Sequence, residues 1–214
     1  MKFHILTIFP DSVEEYLSKS LLGKAQDKGL IEVNIVDFRK YATDKHQTVD
    51  DSPYGGGPGM VMMVEPIYKA VKEIKDNTSS QVRTVLFSTR GDILNQEKAK
   101  DFTEYDELIL ICGRYEGVDE RVAEHIADEE ISIGDFVLQG GELPALVLTE
   151  AVSRHVPGVL GKTDSLEEIK GSYPVYTRPQ TFKLGGDKAW EVPEILLSGD
   201  HKKIEKWREK HGSS

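Results

Sequence analysis

Two stretches of the chain combine residue types in a spacing that suits ligand binding. In the first, the apolar run 108–112 ends in Gly113, Arg114, Tyr115, Glu116 and Gly117. In the second, the run 130–133 leads through Gly134, Gly140 and Gly141 into a helical first turn with Glu142 and Pro144. Glycine after a strand lets backbone approach a bound molecule, and the unpaired N–H groups of the next helix can hold part of it. Either loop alone reads equally as a tight strand-to-helix turn; two of the same grammar side by side make a pocket. Glu116 could complement a cation there or serve as an acid near a helix N-terminus. A third cluster of glycines follows Asp50, Asp51 and Tyr54, but it lacks the Lys-Ser/Thr ending of a phosphate-binding P-loop. The spacing G-x-G-x-x-G is also missing after the 108–112 run, which argues against a dinucleotide-dependent oxidoreductase. Downstream, Arg154 reads on its own as a surface ion-pair partner and Asp164 as a helix cap.

The elements that must position these groups alternate. The run 3–9, ended by Pro10, reads as a buried strand, 11–29 as a helix with Val13, Tyr16, Leu17 and Leu21 on one face, and 31–38 as the next strand. Residues 39–59 show no periodicity, and ordered loops of that length are often functional. A helix over 65–75, a strand over 82–88, a loop at 89–91, a helix over 94–102, a strand over 107–112 and a helix over 118–127 follow. Such alternation predicts a doubly wound α/β sheet with helices on both faces and ligands at the carboxyl ends of the strands. After a helix ending near Ser153 the texture changes to a Gly- and Pro-rich linker, then to small helices over 192–197 and 201–211. The expected domains are therefore 1–153, a linker or lid over 154–174, and a small helical domain over 175–214.

With 214 residues the chain can bury a sizeable core. No apolar run approaches a membrane span and no signal segment is visible, so a cytoplasmic protein is expected. The lone Cys112 rules out an internal disulfide and is expected to pack in a strand rather than react. The histidines, His4 and His46 among them, show no ligand spacing, so no protein-built metal site is expected. The formal net charge of −10 argues against a nucleic-acid partner until it is divided. Residues 154–214 carry 11 Lys and Arg against 9 Asp and Glu, whereas 1–153 carry 16 against 28. An acidic body with a comparatively basic tail keeps RNA contact local, although a solvated helix face gives the same count.

The motifs ICGRYEGVDERV and EISIGDFVLQGGELPAL closely resemble those of the bacterial tRNA (guanine-N1)-methyltransferase family, TrmD, of the SPOUT class. YGGGPGM, RHVPGVLG, YTRP and EVPEILLSGDH extend the resemblance across nearly the whole chain. It implies methyl transfer from S-adenosylmethionine to N1 of the guanine at tRNA position 37, in a homodimer whose active sites are shared between subunits. It also implies a deep trefoil knot that shapes the cofactor pocket. By match, that pocket comprises Phe87 and Ser88; Gly113, Tyr115, Glu116 and Gly117; Ser132, Ile133, Gly134, Asp135, Phe136, Val137 and Leu138; and Gly140, Gly141 and Pro144. Asp164 matches the general base and Arg154 the cation near guanine O6, with Glu167 and Glu168 as fallback carboxylates because the stretch after Gly161 is shorter than the family's. Tyr54 and Gly59 match the loop beside the target base, while Tyr176 and Arg178 match a segment that contacts substrate or acts as a hinge. Magnesium is implied as a helper ion with no site assigned. Thr89 and Arg90 stand where the family usually has Pro-Gln, so that wall of the cofactor pocket is expected to differ, Phe87 stands where the family more often has Leu, and residues 180–190 read as an insertion into the family pattern. Gly141→Val is expected to block the pocket and leave the fold intact. The shortened linker also motivates a second class, a non-catalytic RNA-binding module on the same fold, which an assay of methyl transfer separates from the enzyme.

Overall fold

The computed structural model describes residues 1–161, 172–185 and 188–212; Asp164, Glu167 and Glu168 lie outside them. The chain forms two compact units, Met1–Leu160 and Gly161–Ser214. In the first unit the strands are β1 (Lys2–Thr7), β2 (Glu32–Asp37), β3 (Asp50–Asp51), β4 (Val61–Met62), β5 (Val82–Ile93), β6 (Glu107–Ile111) and β7 (Glu129–Ser132). Its helices are α1 (Asp11–Leu17), α2 (Ser20–Asp27), α3 (Val64–Asp76), α4 (Gln96–Asp101), α5 (Glu120–His125) and α6 (Glu142–Ser153).

Five strands form one parallel sheet in the order β2-β1-β6-β5-β7. The central strand β6 is buried throughout, which explains an unbroken apolar run in place of alternation. Side-chain parity then divides the core. Leu108 and Leu110 pack with Phe3, Ile5, Val13, Leu148 and Val152, while Ile109 and Ile111 pack with Leu6, Ile67, Val71 and Val122. Helices α1, α2, α4 and α6 thus cover one face of the sheet and α3 and α5 the other. On α3 the stripe Ile67, Ala70, Val71, Ile74 follows the helical period and faces the sheet. Truncating a fully buried leucine such as Leu110 to alanine in this core costs about 2–5 kcal/mol.

Three expectations are corrected. The helix expected over 11–29 is two helices, because Ser20 takes a left-handed φ of 54° and Ser18 turns its carbonyl into the space beside Gly23, where a Cβ would overlap it. β5 does not stop at Ser88. It bulges between Phe87 and Asp92 and resumes pairing with β7 through Asp92 and Ile93. The stretch 39–59 is not wholly irregular: it starts in a 3-10 turn, Phe38–Tyr41, and β3 pairs antiparallel with β4.

In the second unit, β8 (Thr181–Gly185) and β9 (Lys188–Glu191) pair antiparallel, so the stretch read as an insertion is a hairpin and the unit is not purely helical. Two helices follow, α7 (Glu194–Leu197) and α8 (His201–His211), the latter capped by the Asp200 side chain on the Lys203 N–H. Trp207 meets Tyr176 edge-on at 6.4 Å and stacks on His211 at 4.3 Å.

Candidate active site

At the carboxyl ends of β5, β6 and β7 lies a cavity of about 470 Å³, within the usual range for a small-molecule site. Three chain segments build it. The first is the β5 bulge, which contributes Phe87, Ser88, Thr89 and Arg90. Arg90 bridges with one Nη to both carboxylate oxygens of Glu120, at 3.0 and 2.9 Å, and reaches Glu130 at 3.5 Å. All three side chains line the cavity, so the Thr89-Arg90 departure makes an exposed ionic rim.

The second segment is the turn after β6. Gly117 N–H donates to the Arg114 carbonyl at 3.0 Å, and Tyr115 sits at a left-handed φ of 59°. Strand β4 clips this turn in place: Glu116 N–H donates to the Met60 carbonyl and Met62 N–H to the Gly117 carbonyl, each at 3.0 Å. Gly59 is pressed against Glu116 so closely that a Cβ would lie 2.5 Å from its Cγ. Glu116 precedes α5 by four positions, and Asp119 caps that helix, so the reading of Glu116 as a helix N-terminal acid does not hold. Glu116 lines the cavity, and its carboxylate has no ion-pair partner among the described residues.

The third segment is the loop from β7 to α6. Ser132 Oγ donates to the Gly134 carbonyl at 3.0 Å and shapes the first bend. Farther along, Gly141 N–H donates to the Gly113 carbonyl at 2.9 Å, and Gly140 bridges Arg114 antiparallel. The second and third segments are therefore in backbone contact. A Cβ on Gly141 would lie 2.6 Å from Cα of Cys112, so Gly141→Val strikes the fold as well as the cavity, contrary to expectation.

A family model described as tRNA (Guanine-1)-methyltransferase TrmD matches residues 1–214. The chain belongs to this family. Proteins named tRNA (guanine-N(1)-)-methyltransferase are similar along their length. That of Ruminiclostridium cellulolyticum is 49% identical over 213 residues, 97% of this chain and 89% of the relative. That of Carboxydothermus hydrogenoformans is 51% identical over 215 residues, 98% and 82% of the two chains. That of Clostridioides difficile is 46% identical over 214 residues, 97% and 90%. The chain is thus an enzyme, a tRNA (guanine-N1)-methyltransferase of the TrmD family.

Against this family pattern, every residue matched to the cofactor pocket lines the cavity except Asp135, which is exposed between Gly134 and Phe136. Arg154 is not brought there. It caps the far end of α6, and a helix that begins at Gly141 puts it about 20 Å along the axis from the cavity. Tyr54 is fully exposed on its loop. Tyr176 and Arg178 line a separate hollow of about 530 Å³ in the second unit, together with Arg208, whose guanidinium lies 4.9 Å over the Tyr173 ring. Sequence reasoning places Arg114, Thr89 and Arg90 in or beside the pocket and Glu142 in the first turn of the helix, but it gives no role to Glu120 or Glu130 and foresees neither the Arg114–Glu142 nor the Arg90–Glu120 pair. Arg114 and Glu142 lie inside the very motifs that carry the resemblance, but an ion pair between residues 28 apart leaves no periodic signal.

Two groups belong to the scaffold. His4 is buried at the opposite end of the sheet, 2.8 Å from Glu107 through Nε2, and burial holds its pKa below the ordinary value although Glu107 pulls the other way. Cys112 is fully buried, and burial pushes its thiol well above the ordinary range. Among the described residues no group of three or more His, Cys, Asp and Glu could hold a metal ion, and no helix is long and apolar enough to cross a membrane.

Proposed function

We propose that the cavity at the β5, β6 and β7 ends holds S-adenosylmethionine and that the enzyme methylates N1 of guanine 37 in tRNA. The observation that carries this reading is the cavity itself: its size, its apolar walls at Phe87, Ile133, Leu138 and Pro144, and the unpaired Glu116 carboxylate suit a nucleoside joined to a cationic amino acid. The donor supplies a methyl already activated on a sulfonium, so the protein's work is alignment and proton removal. Asp164 takes the N1 proton, Arg154 faces the charge that develops on O6, N1 forms its bond to the methyl carbon, and the carbon–sulfur pair returns to sulfur as S-adenosylhomocysteine leaves. Tyr54, Gly59, Tyr176 and Arg178 meet the RNA. No step is routed through magnesium.

The enzyme works as a homodimer with composite sites, in the cytoplasm where tRNA is found. Arg154 lies too far along α6 to serve its own cavity, so a partner's Arg154 and Asp164 complete each site. Exposed Leu143 and Val147, one turn apart on α6, and exposed Phe9 offer an apolar surface for that partner. Residues 1–153 form the knotted SPOUT domain, 154–174 the linker, and 175–214 the small tRNA-contacting domain. The run of 133–141 back over the end of β6 favours the knot.

Labelled S-adenosylmethionine with tRNA transcripts carrying G37 or A37 tests the reading. N1-methylguanosine at position 37 is expected only in the first, and Asp164→Asn should slow single-turnover transfer by at least about a hundredfold while S-adenosylhomocysteine still binds. S-adenosylhomocysteine binding without transfer to either transcript would favour the non-catalytic RNA-binding module.

A further inference from the structure

We infer that the ion pair between part-exposed Arg114 and buried Glu142 is a positioning device that holds one wall of the cavity in its ligand-presenting shape. The inference rests on the reading of the cavity as the S-adenosylmethionine site. Arg114 Nε donates to Glu142 Oε2 at 2.9 Å, and the Glu142 side chain is only 6% exposed. Its other oxygen accepts the Thr7 hydroxyl at 2.7 Å, and Thr7 Oγ1 accepts the Phe9 N–H at 2.9 Å. The Arg114 guanidinium lies 4.7 Å over the Phe9 ring, and its own N–H points at Met62 Sδ, 2.9 Å away. One arginine therefore joins the ends of β1, β4 and β6 to the first turn of α6. Its guanidinium runs over Gly140, where a Cβ would overlap Nε.

The residue next to this tie is Tyr115, in a left-handed conformation that an L side chain holds only when its surroundings impose it. Tyr115 and Glu116 both line the cavity. Glu142 does not, so it acts through Arg114 and not by touching a bound molecule. The Arg90–Glu120 pair on the same cavity is exposed on both sides, where solvent weakens it, whereas Glu142 is out of water with both oxygens engaged. Loss of the pair lets the 114–117 turn relax away from the cavity.

The test uses the full-length enzyme and two variants, Glu142→Gln and the double variant Arg114→Met with Glu142→Met. Glu142→Gln keeps the shape, removes the charge and removes no lining atom. It should weaken S-adenosylhomocysteine binding about tenfold in calorimetry and raise the KM for S-adenosylmethionine similarly, by more than it changes the KM for tRNA. The apolar double variant replaces the pair by packing but leaves the buried Thr7 hydroxyl without its acceptor, so it should melt near the parent temperature and still bind the cofactor product weakly. Parent-like affinity in Glu142→Gln would overturn the inference, as would affinity that returns together with melting temperature in the double variant. Failure of the unaltered enzyme to bind S-adenosylhomocysteine would overturn the cavity assignment itself.

Discussion

At Gly56 the backbone is left-handed, with φ 78°, and a Cβ would meet nothing within 4 Å. At Gly141 the backbone is an ordinary φ −84°, ψ −3°, yet a Cβ would lie 2.6 Å from the backbone of Cys112. The two glycine clusters look alike in the sequence and are required for opposite reasons. The 55–59 loop uses glycine for a conformation and leaves open space; the 140–141 loop uses it for distance, so that one wall of the cavity lies on another. Gly59 combines both, with φ 80° and the Glu116 side chain against it.

The contrast ranks three substitutions. Gly141→Ala forces backbone from backbone and should cost about 1–3 kcal/mol or more, lowering Tm by roughly 2–4 °C per kcal/mol. Because Cys112 is the residue displaced, its thiol, buried in the parent, should also become open to maleimide in the variant and stay protected in the parent. An unchanged melting point with Cys112 still protected would remove the contrast. Gly59→Ala pushes Glu116 aside, so S-adenosylhomocysteine affinity should fall several-fold, on the order of 1 kcal/mol, with a loss of Tm of a few degrees because its left-handed φ is strained as well. Equal affinity in calorimetry would mean that Glu116 gives way without consequence for the cavity. Gly56→Ala has only its φ to pay for, about 1–2 kcal/mol, and should lower Tm by a few degrees and leave cofactor affinity within twofold. A larger effect on binding than that of Gly59→Ala would reverse the order.

What the sequence makes legible follows from which forces are local. The parallel sheet is readable because Leu108 to Ile111 form an apolar run and helices with a 3.6-residue stripe alternate with such runs. The break at Ser20 is not, since a left-handed serine and a carbonyl turned toward Gly23 have no pattern in an otherwise helical run. The β5 bulge escapes for a related reason: Thr89, Arg90 and Gly91 read as a loop after the strand, and only the partner β7 draws the chain back into register. The cavity was reached through glycine grammar and family resemblance together. Its ionic parts were not, because Arg114–Glu142 and Arg90–Glu120 join residues that are neighbours only in the folded chain.

The most direct test of the account asks whether Arg154, about 20 Å along α6 from its own cavity, serves a partner's. Leu138→Trp, which fills the cavity, and Arg154→Ala should each leave a homodimer nearly inactive. After subunit exchange about half of the dimers are mixed, and in each mixed dimer one composite site has both defects and the other has none, so methyl transfer should return to about a quarter of the unaltered rate. If each chain used its own Arg154, every site would keep one defect, and activity that stays at the variants' baseline after exchange has been demonstrated would contradict the shared site.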